Sequence, residues 1–344
     1  MENTLLLLKK IIPKEIEILQ RRYEILKGIN LHQPIGRRSL SQRLLISEKI
    51  IRNETEYLKE QGFILVSGLG MYTTDLGVSL LDELKDIMHH VKGLDYLEKE
   101  VKKYLGCGQV VVVPGDSSHI KEIKENIGKA ALEVLLEHIN DNTIISLTGG
   151  STIFNVVNSL KKPNTSFNNV LVVPARGSLR NKVEFQANTI VSKLAKKLNG
   201  NYQLLHIPDN LSKKALDSVR KEPEIEETIS NILRANIILF GVGNAFEMAG
   251  RRNLSDTVID FLNRKQAVAE ALGYYFNKDG DIVYTSRSIG IKLEHMTKTP
   301  YPIAVAGGAK KAEAIIAVKK IINNGSLIID ESAARRIIDI MKKD

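Results

Sequence analysis

The run NTIISLTGGSTIFNVVNSL, residues 142–160, decides the fold. Thr143–Thr148 reads as a strand, Gly149-Gly150 as a tight turn, and Ile153 to Leu160 as a helix. Glycines let a chain turn sharply and approach a ligand closely. The start of the following helix offers unpaired N–H groups and the positive end of a dipole to an anion. Hydroxyls at Ser151 and Thr152 add donors. A capped strand-to-helix turn, with Ser or Thr serving the helix alone, is the competing reading.

Outward from this unit the pattern recurs. Strands are predicted at Gln109–Pro114, Thr143–Thr148, Val170–Pro174, Tyr202–Pro208, Asn236–Val242, Tyr301–Ala306 and Ser326–Asp330. Helical patterns lie between or after them at 121–139, 152–160, 185–198, 212–219, 224–234, 309–322 and 331–342. Runs such as Val110 to Val113 and Ile237 to Phe240 are continuously apolar, as in parallel strands covered on both faces. The alternation predicts an open, doubly wound α/β sheet. Tyr275-Phe276 and Ile282-Val283 flank Asn277-Lys278-Asp279-Gly280, a hairpin signal expected to add antiparallel strands to that sheet.

Ligands of such sheets bind beyond the carboxyl ends of the strands. Four of those ends carry glycine turns or cations. They are Gly149-Gly150, Ala175-Arg176-Gly177, Gly243-Asn244 leading to Arg251-Arg252, and Gly307-Gly308-Ala309-Lys310-Lys311. Two cradles and several cations suit a ligand with two phosphates, since arginine grips phosphate as a fork and lysine as a point charge. Neither turn has the glycine spacing of a dinucleotide fingerprint or a Walker loop, which favours a small phosphorylated metabolite.

The first 77 residues read differently. Glu17 to Ile29 has a helix-period apolar face (Ile18, Leu19, Ile25, Leu26, Ile29), ended by Pro34-Ile35-Gly36. A short helix follows from Ser39 to Leu45. A longer one runs from Ser47, its N-cap, to Gln61, with Ile50, Ile51, Tyr57 and Leu58 as its buried face. Gly62 ends it. Phe63–Val66 and Met71–Thr73 then flank Ser67-Gly68-Leu69-Gly70 as a hairpin. This order is a winged helix-turn-helix. Between Gln33 and Asn53 five basic residues stand against one acid, Glu48. Lys49, Arg52 and Asn53 are placed to read base edges, and Arg37, Arg38 and Arg43 to hold phosphates. A helical module for protein contacts is the alternative.

Val78 to Leu105 reads as one amphipathic helix, either facing a core or linking and pairing protomers. The domains are therefore 1–77 (DNA-binding), 78–105 (linker or dimerisation helix) and 106–344 (effector-binding). A length of 344 residues fits two or three domains, and the 43% apolar and 26% charged composition is that of a globular protein. The net charge of +9 favours a polyanionic partner. The lone Cys107 excludes an intramolecular disulfide and a cysteine-based zinc site. No stretch is apolar for long enough to span a bilayer, and no export signal is evident, so no membrane partner and a cytoplasmic location are expected.

An enzyme on this scaffold would need a general acid and base. Glu270, Asp116 and His206 are candidates, but they form no recognisable pair, and Glu270 more simply accepts hydrogen bonds from sugar hydroxyls. A sensor without catalytic residues, cofactor or metal is the reading adopted.

The segments RRYEILKGI (21–29), PIGRRSLS (34–41), LKEQ (58–61), TGGST (148–152), VPARG (173–177), QANTI (186–190), RRN (251–253), EALGYYFN (270–277) and AVAGGAKKAEAI (304–315) stand in order along the chain. Together they closely resemble the SorC/DeoR-type sugar-responsive transcriptional repressors, and within them the branch that controls central glycolytic genes. The resemblance implies repression of a glycolytic operon, operator DNA as partner and fructose 1,6-bisphosphate as inducer. It also implies an effector domain with the sugar-phosphate isomerase and deaminase fold. Carried over by position, Gly149, Gly150, Ser151, Thr152 and Lys311 hold one phosphate. Arg176, Gln186 and Arg251 hold the other, and Glu270 takes sugar hydroxyls. Gln186 and the choice of Arg251 over Arg252 come only from the resemblance. Ser151 departs from the usual threonine but keeps the hydroxyl, and Ala309-Lys310 leaves open which lysine makes the contact. A homodimer, tetrameric on DNA, is expected.

Overall fold

The computed structural model describes residues 8, 10–44, 46–161, 167–177, 182–207, 213–286, 288–296 and 301–343. It divides into two units, Met1–Asp95 and Tyr96–Asp344.

In the first unit, α1 (Pro13–His32), α2 (Arg37–Leu44) and α3 (Glu48–Glu60) are followed by β1 (Ile64–Ser67), β2 (Gly70–Thr73) and α4 (Asp75–Val91). Ile25, Leu26 and Ile29 of α1 close on Leu40, Ile51, Leu58, Ile64 and Met71. Ser47 caps α3, its Oγ accepting from Ile50 N at 3.4 Å. The inner face of α3 differs from expectation. It is Ile51, Glu54, Thr55 and Leu58, whereas Ile50 and Tyr57 are exposed. Steps of three and four residues keep 51, 54/55 and 58 on one face, and 50 and 57 fall beside it. Tyr57 is covered instead by Arg22, whose guanidinium sits 3.5 Å from the ring centre. Strands β1 and β2 pair antiparallel from Ile64↔Thr73 to Ser67↔Gly70.

The single helix expected at 78–105 is two. After α4, Lys92 and Gly93 turn the chain, with Gly93 at φ 71, and α5 (Leu94–Leu105) follows. A positive φ needs a residue without Cβ strain, which is what a glycine at a helix end supplies. Leu81, Met88 and Val91 of α4 belong to the core of the first unit. The core-facing alternative thus accounts for them, and the linker range cuts through a packed helix.

The second unit opens with the end of α5 and continues with β3 (Gln109–Val113), α6 (Lys121–Glu137), β4 (Ile144–Leu147), α7 (Ser151–Ser159) and β5 (Leu171–Pro174). Next come α8 (Ala187–Leu198), β6 (Asn201–Tyr202), α9 (Lys213–Val219), α10 (Pro223–Leu233) and β7 (Ile237–Gly241). Then follow β8 (Gly243–Asn244), α11 (Ala245–Arg251), α12 (Asp256–Arg264), β9 (Ala267–Ala271), β10 (Tyr274–Asn277), β11 (Ile282–Thr285) and α13 (Leu293–Met296). The unit ends with β12 (Tyr301–Val305), α14 (Ala312–Ala317), α15 (Lys319–Ile322), β13 (Ser326–Asp330) and α16 (Glu331–Met341). Cys107 is buried, and burial pushes its thiol up to about 12, which keeps it protonated and inert.

Seven described strands form a parallel sheet in the order β3-β13-β12-β7-β4-β5-β6. Six of the seven expected strands are present; of the fourth only Tyr202 is in a strand, and 203–207 are not. The fourth shrinks to Asn201–Tyr202, and its expected end at Pro208 lies outside the described residues. The core gathers Ile145, Leu147, Leu239, Ile303 and Ile328 under α6, α7 and α8. The chain leaves β4 toward β5 on one side and β7 toward β12 on the other. The β4/β7 boundary is therefore the topological switch point of a doubly wound sheet.

The hairpin at 274–285 does not extend this sheet. With β9 and β8 it forms a separate antiparallel sheet, ordered β11-β10-β9-β8. Gly243–Asn244 follows β7 directly and joins the two sheets through the backbone. Tyr275, Ala245, Ala249, Leu262 and Ala267 make a small core of their own beneath α11 and α12.

Candidate functional site: an anion pocket and a DNA-reading face

At the switch point, β4 runs into Gly149-Gly150. Gly150, at φ 111, is the N-cap of α7, and no side chain caps that helix. Gly150, not Ser151 or Thr152, therefore occupies the cap position, and both hydroxyls belong to the first turn of α7. A Cβ on Gly149 would stand 2.6 Å from Phe185 O, so the turn closes against the 185–187 segment only because no side chain intervenes.

A cavity of about 130 Å³ opens here. Gly149, Gly150, Ser151 and Thr152 line it from the β4 end, Arg176 from the β5 end and Gln186 from the start of α8. Arg251 reaches it from α11, Glu270 from β9 and Lys311 from the turn after β12. All nine residues expected in the effector site therefore meet in one cavity. Asp116 and His206, considered as catalytic groups, do not line it.

The neighbouring pairs of cations differ in their placement. Lys311 lines the cavity, whereas Lys310 is exposed and does not. Arg251 and Arg252 both line it, but Arg252 is buried and donates from Nη2 to Glu270 Oε1 at 2.8 Å. Arg251 is the more exposed of the two.

The groups around these residues were not foreseen. Glu270 Oε1 also accepts from Gly273 N at 2.7 Å. Leu272 and Gly273 have φ of 54 and 86, the positive pair of a type I′ turn between β9 and β10. Arg176 lies flat on this turn: a Cβ on Gly273 would fall 1.5 Å from its Nη1. Arg176 Nη2 donates to Ser286 Oγ at 2.9 Å, and Ser286 Oγ donates on to Gly273 O at 2.9 Å. Buried Asp330 holds the turn that carries Lys311, its Oδ2 accepting from Gly308 N at 2.7 Å and Ser117 N at 2.8 Å. Burial pushes the Lys311 ammonium below its ordinary 10.5. Glu247 and Asp330 pull it back, and Arg251 pushes it further down. Gly-Gly and cations at strand ends were visible in the sequence; the turn at 272–273 had a faint signal in its glycine alone.

In the first unit, Lys49, Arg52 and Asn53 are exposed along the outer face of α3. Arg43 is exposed on α2. Arg37 and Arg38 reach across to α3 as surface ion pairs, with Glu56 at 3.7 Å and Glu48 at 3.5 Å. Such exposed pairs are weak, so they hold the two guanidinium groups only loosely. Beneath, Glu54 Oε1 accepts from Arg21 Nη2 at 2.8 Å and Oε2 from Arg22 Nε at 2.7 Å. Burial alone would raise the Glu54 carboxyl, but the Arg22 and Arg21 hydrogen bonds outweigh it and hold it below the usual range. No described helix is long and apolar enough to cross a membrane.

Residues 18–88 match the CggR N-terminal DNA binding domain, and residues 89–339 match the Sugar-bind family of sugar-binding domains. The central glycolytic genes regulator of Bacillus subtilis is 40% identical over 330 residues, covering 96% of this chain and 97% of that protein. The regulator of the same name from Priestia megaterium is 38% identical over 331 residues, 96% of each. Among solved structures, a SorC family transcriptional regulator from Enterococcus faecalis is 37% identical with a TM-score of 0.66, covering 71% of this chain and 99% of that one. Full-length SorC from Klebsiella pneumoniae, at 17% identity and TM-score 0.65 over 89% of this chain and 94% of its own, shares the fold. A DNA-binding head and a sugar-binding domain at these boundaries make a sugar-responsive transcriptional repressor rather than an enzyme, and the chain belongs to the central glycolytic genes regulator family of SorC-type regulators.

Proposed function

We propose that this chain represses an operon of central glycolytic genes and is induced by fructose 1,6-bisphosphate. The observation that carries the proposal is the gathering of several cations and a glycine cradle in one cavity. Lys311, Arg176 and Arg251 line it together with the Gly149–Thr152 cradle and Gln186. One phosphate of the ligand takes the cradle, the other takes the arginines, and Glu270 accepts from sugar hydroxyls. Lys49, Arg52 and Asn53 read operator bases in the major groove, with Arg37, Arg38 and Arg43 on phosphates. Protomers act in pairs on repeated half-sites, as a homodimer and as a tetramer on DNA, in the cytoplasm where operator and metabolite meet.

A ligand shifts a protein only by its differential affinity for two states. The bisphosphate favours the state of lower operator affinity; hexose monophosphates, which fill one phosphate subsite, occupy the cavity without releasing DNA.

Thermal unfolding of the full-length chain with fructose 1,6-bisphosphate, hexose and pentose monophosphates and inorganic phosphate, with and without operator duplex, tests this. The bisphosphate should raise the midpoint most and alone weaken DNA binding. Equal shifts from mono- and bisphosphates, or turnover of any of these sugars, would overturn it.

A further inference from the structure

The β1–β2 hairpin carries no charge. From Gln61 to Thr74 the chain reads QGFILVSGLGMYTT. A hairpin beside a DNA-reading helix ordinarily gains affinity from Lys or Arg on phosphates; this one has neither. It holds apolar surface in water instead. Leu69 at the tip is 80% exposed, Leu65 63% and Val66 42%.

The placement of these three side chains is specific. Leu65 and Val66 are adjacent on β1, so they point to opposite faces of the ribbon. Leu69 occupies the two-residue turn between β1 and β2, flanked by Gly68 and Gly70, which bear no side chains. The turn is ordered: Ser67 Oγ accepts from Leu69 N at 3.1 Å and donates to Gly70 O at 3.3 Å. The base is tied down as well. Met71 bridges to Ile35, just before α2, and Thr73 N donates to Gln33 Oε1 at 2.7 Å. One leucine therefore stands alone on a rigid tip, with apolar shoulders on both sides.

A protein partner is a poor occupant. A stable interface between copies needs about 800 Å² from each partner, and three side chains pointing three ways present no face of that kind. A groove with two walls matches the shape, and the duplex is already beside it on α3.

We infer that the hairpin tip is an apolar wedge for duplex DNA: Leu69 enters the minor groove next to the major groove read by α3, with Leu65 and Val66 against its walls. The inference rests on α3 being the reading helix. Leucine wedges in the minor groove unstack base steps and bend the duplex toward the major groove. The hairpin thus reads deformability rather than base identity. Its share of the affinity is insensitive to salt, because it neutralises no phosphate and releases no counterion.

The test uses the full-length chain and duplexes selected by it from a random-sequence pool, with affinity measured between about 50 and 200 mM salt. Leu69→Ala should weaken binding about tenfold at every salt concentration with an unchanged salt slope. It should also reduce the bend read from end-to-end distance in a doubly labelled duplex. Leu69→Lys should recover affinity at low salt and steepen the slope by about one. Both variants should melt with the parent, since Leu69 is exposed. Wild-type affinity and bending in Leu69→Ala would overturn the inference. So would dissociation of a DNA-free assembly by that substitution, which would mean that the tip pairs copies of the chain. Arg52→Ala serves as the separate control: sequence selection surviving that change would sink the assignment of α3, whatever the leucine variants show.

Discussion

Arg252 Nη2 lies 2.8 Å from Glu270 Oε1, with the side chains 2% and 5% exposed. A buried ion pair is weak evidence for stability, because desolvation offsets attraction, yet removing one partner strands a charge. Arg252→Met should therefore cost about 3–5 kcal/mol of unfolding free energy. Glu270→Gln combined with it should recover part of that loss. A double-mutant cycle by urea unfolding measures the coupling, and additive losses would show that the pair is not a unit.

Lys311 should be a stability cost that the ligand relieves. Its folded pKa lies below the ordinary 10.5. While the ammonium is held protonated the folded state bears the full cost; as pH rises from the lowered folded value toward the ordinary 10.5, the cost falls away. Lys311→Met should then raise the melting midpoint of the empty protein at pH 7, by about 2–4 °C for each kcal/mol relieved. The gap should narrow toward pH 10, and the variant should lose stabilisation by fructose 1,6-bisphosphate. Lys311→Arg should keep ligand affinity at alkaline pH, where the parent loses it.

Glu54 carries the opposite sign. Its folded pKa is below the usual 4.5, so the stability it contributes is present above the unfolded value and is lost as pH falls through the folded one. Amide exchange along α3 of the full-length chain should accelerate as pH drops below about 4.5, after correction for intrinsic rates. Glu54→Gln should cost about 1–3 kcal/mol at pH 7 and nothing at acid pH.

The two activities should separate by mutation. Arg176→Ala should abolish the response to the bisphosphate while leaving operator binding intact, giving a permanent repressor. Arg52→Ala should do the reverse. Gly149→Ala should match Arg176→Ala in effect, because its Cβ meets Phe185 O at 2.6 Å and forces the cradle open. Calorimetric titration with ligand and fluorescence anisotropy with duplex read the two losses independently.

Continuous apolar runs such as Val110–Val113 and Ile237–Phe240 made the parallel sheet legible, since burial on both faces leaves few other readings. The second sheet was not. Strand β9 is Ala-Val-Ala-Glu-Ala, with one β-branched residue, and β8 is only Gly243–Asn244. Such strands form because tertiary neighbours demand them, not by propensity. The broken helix was masked because Leu80–Val91 and Leu94–Val101 keep a common apolar period across Gly93. In the pocket, residues attached to glycine turns announced themselves. The positioning partners Arg252, Ser286 and Asp330 did not: each acts through a contact 18 to 110 residues distant along the chain, as in Arg252–Glu270, Arg176–Ser286 and Gly308–Asp330. No local pattern encodes such contacts.

The arginine that follows β5 is seated on a turn and a serine of the antiparallel sheet, while the cradle across the cavity grows from the parallel one. A molecule gripped at both ends would fasten together two sheets already tied by Gly243–Asn244 and by the pairing of Ala175 and Gly177 with Ile291 and Ile289. Occupancy is in this sense a mechanical state of the whole layer from β8 to β11. On the proposed function, its stiffness, and not merely the shape of the cleft, is what a metabolite would hand on to the rest of the chain.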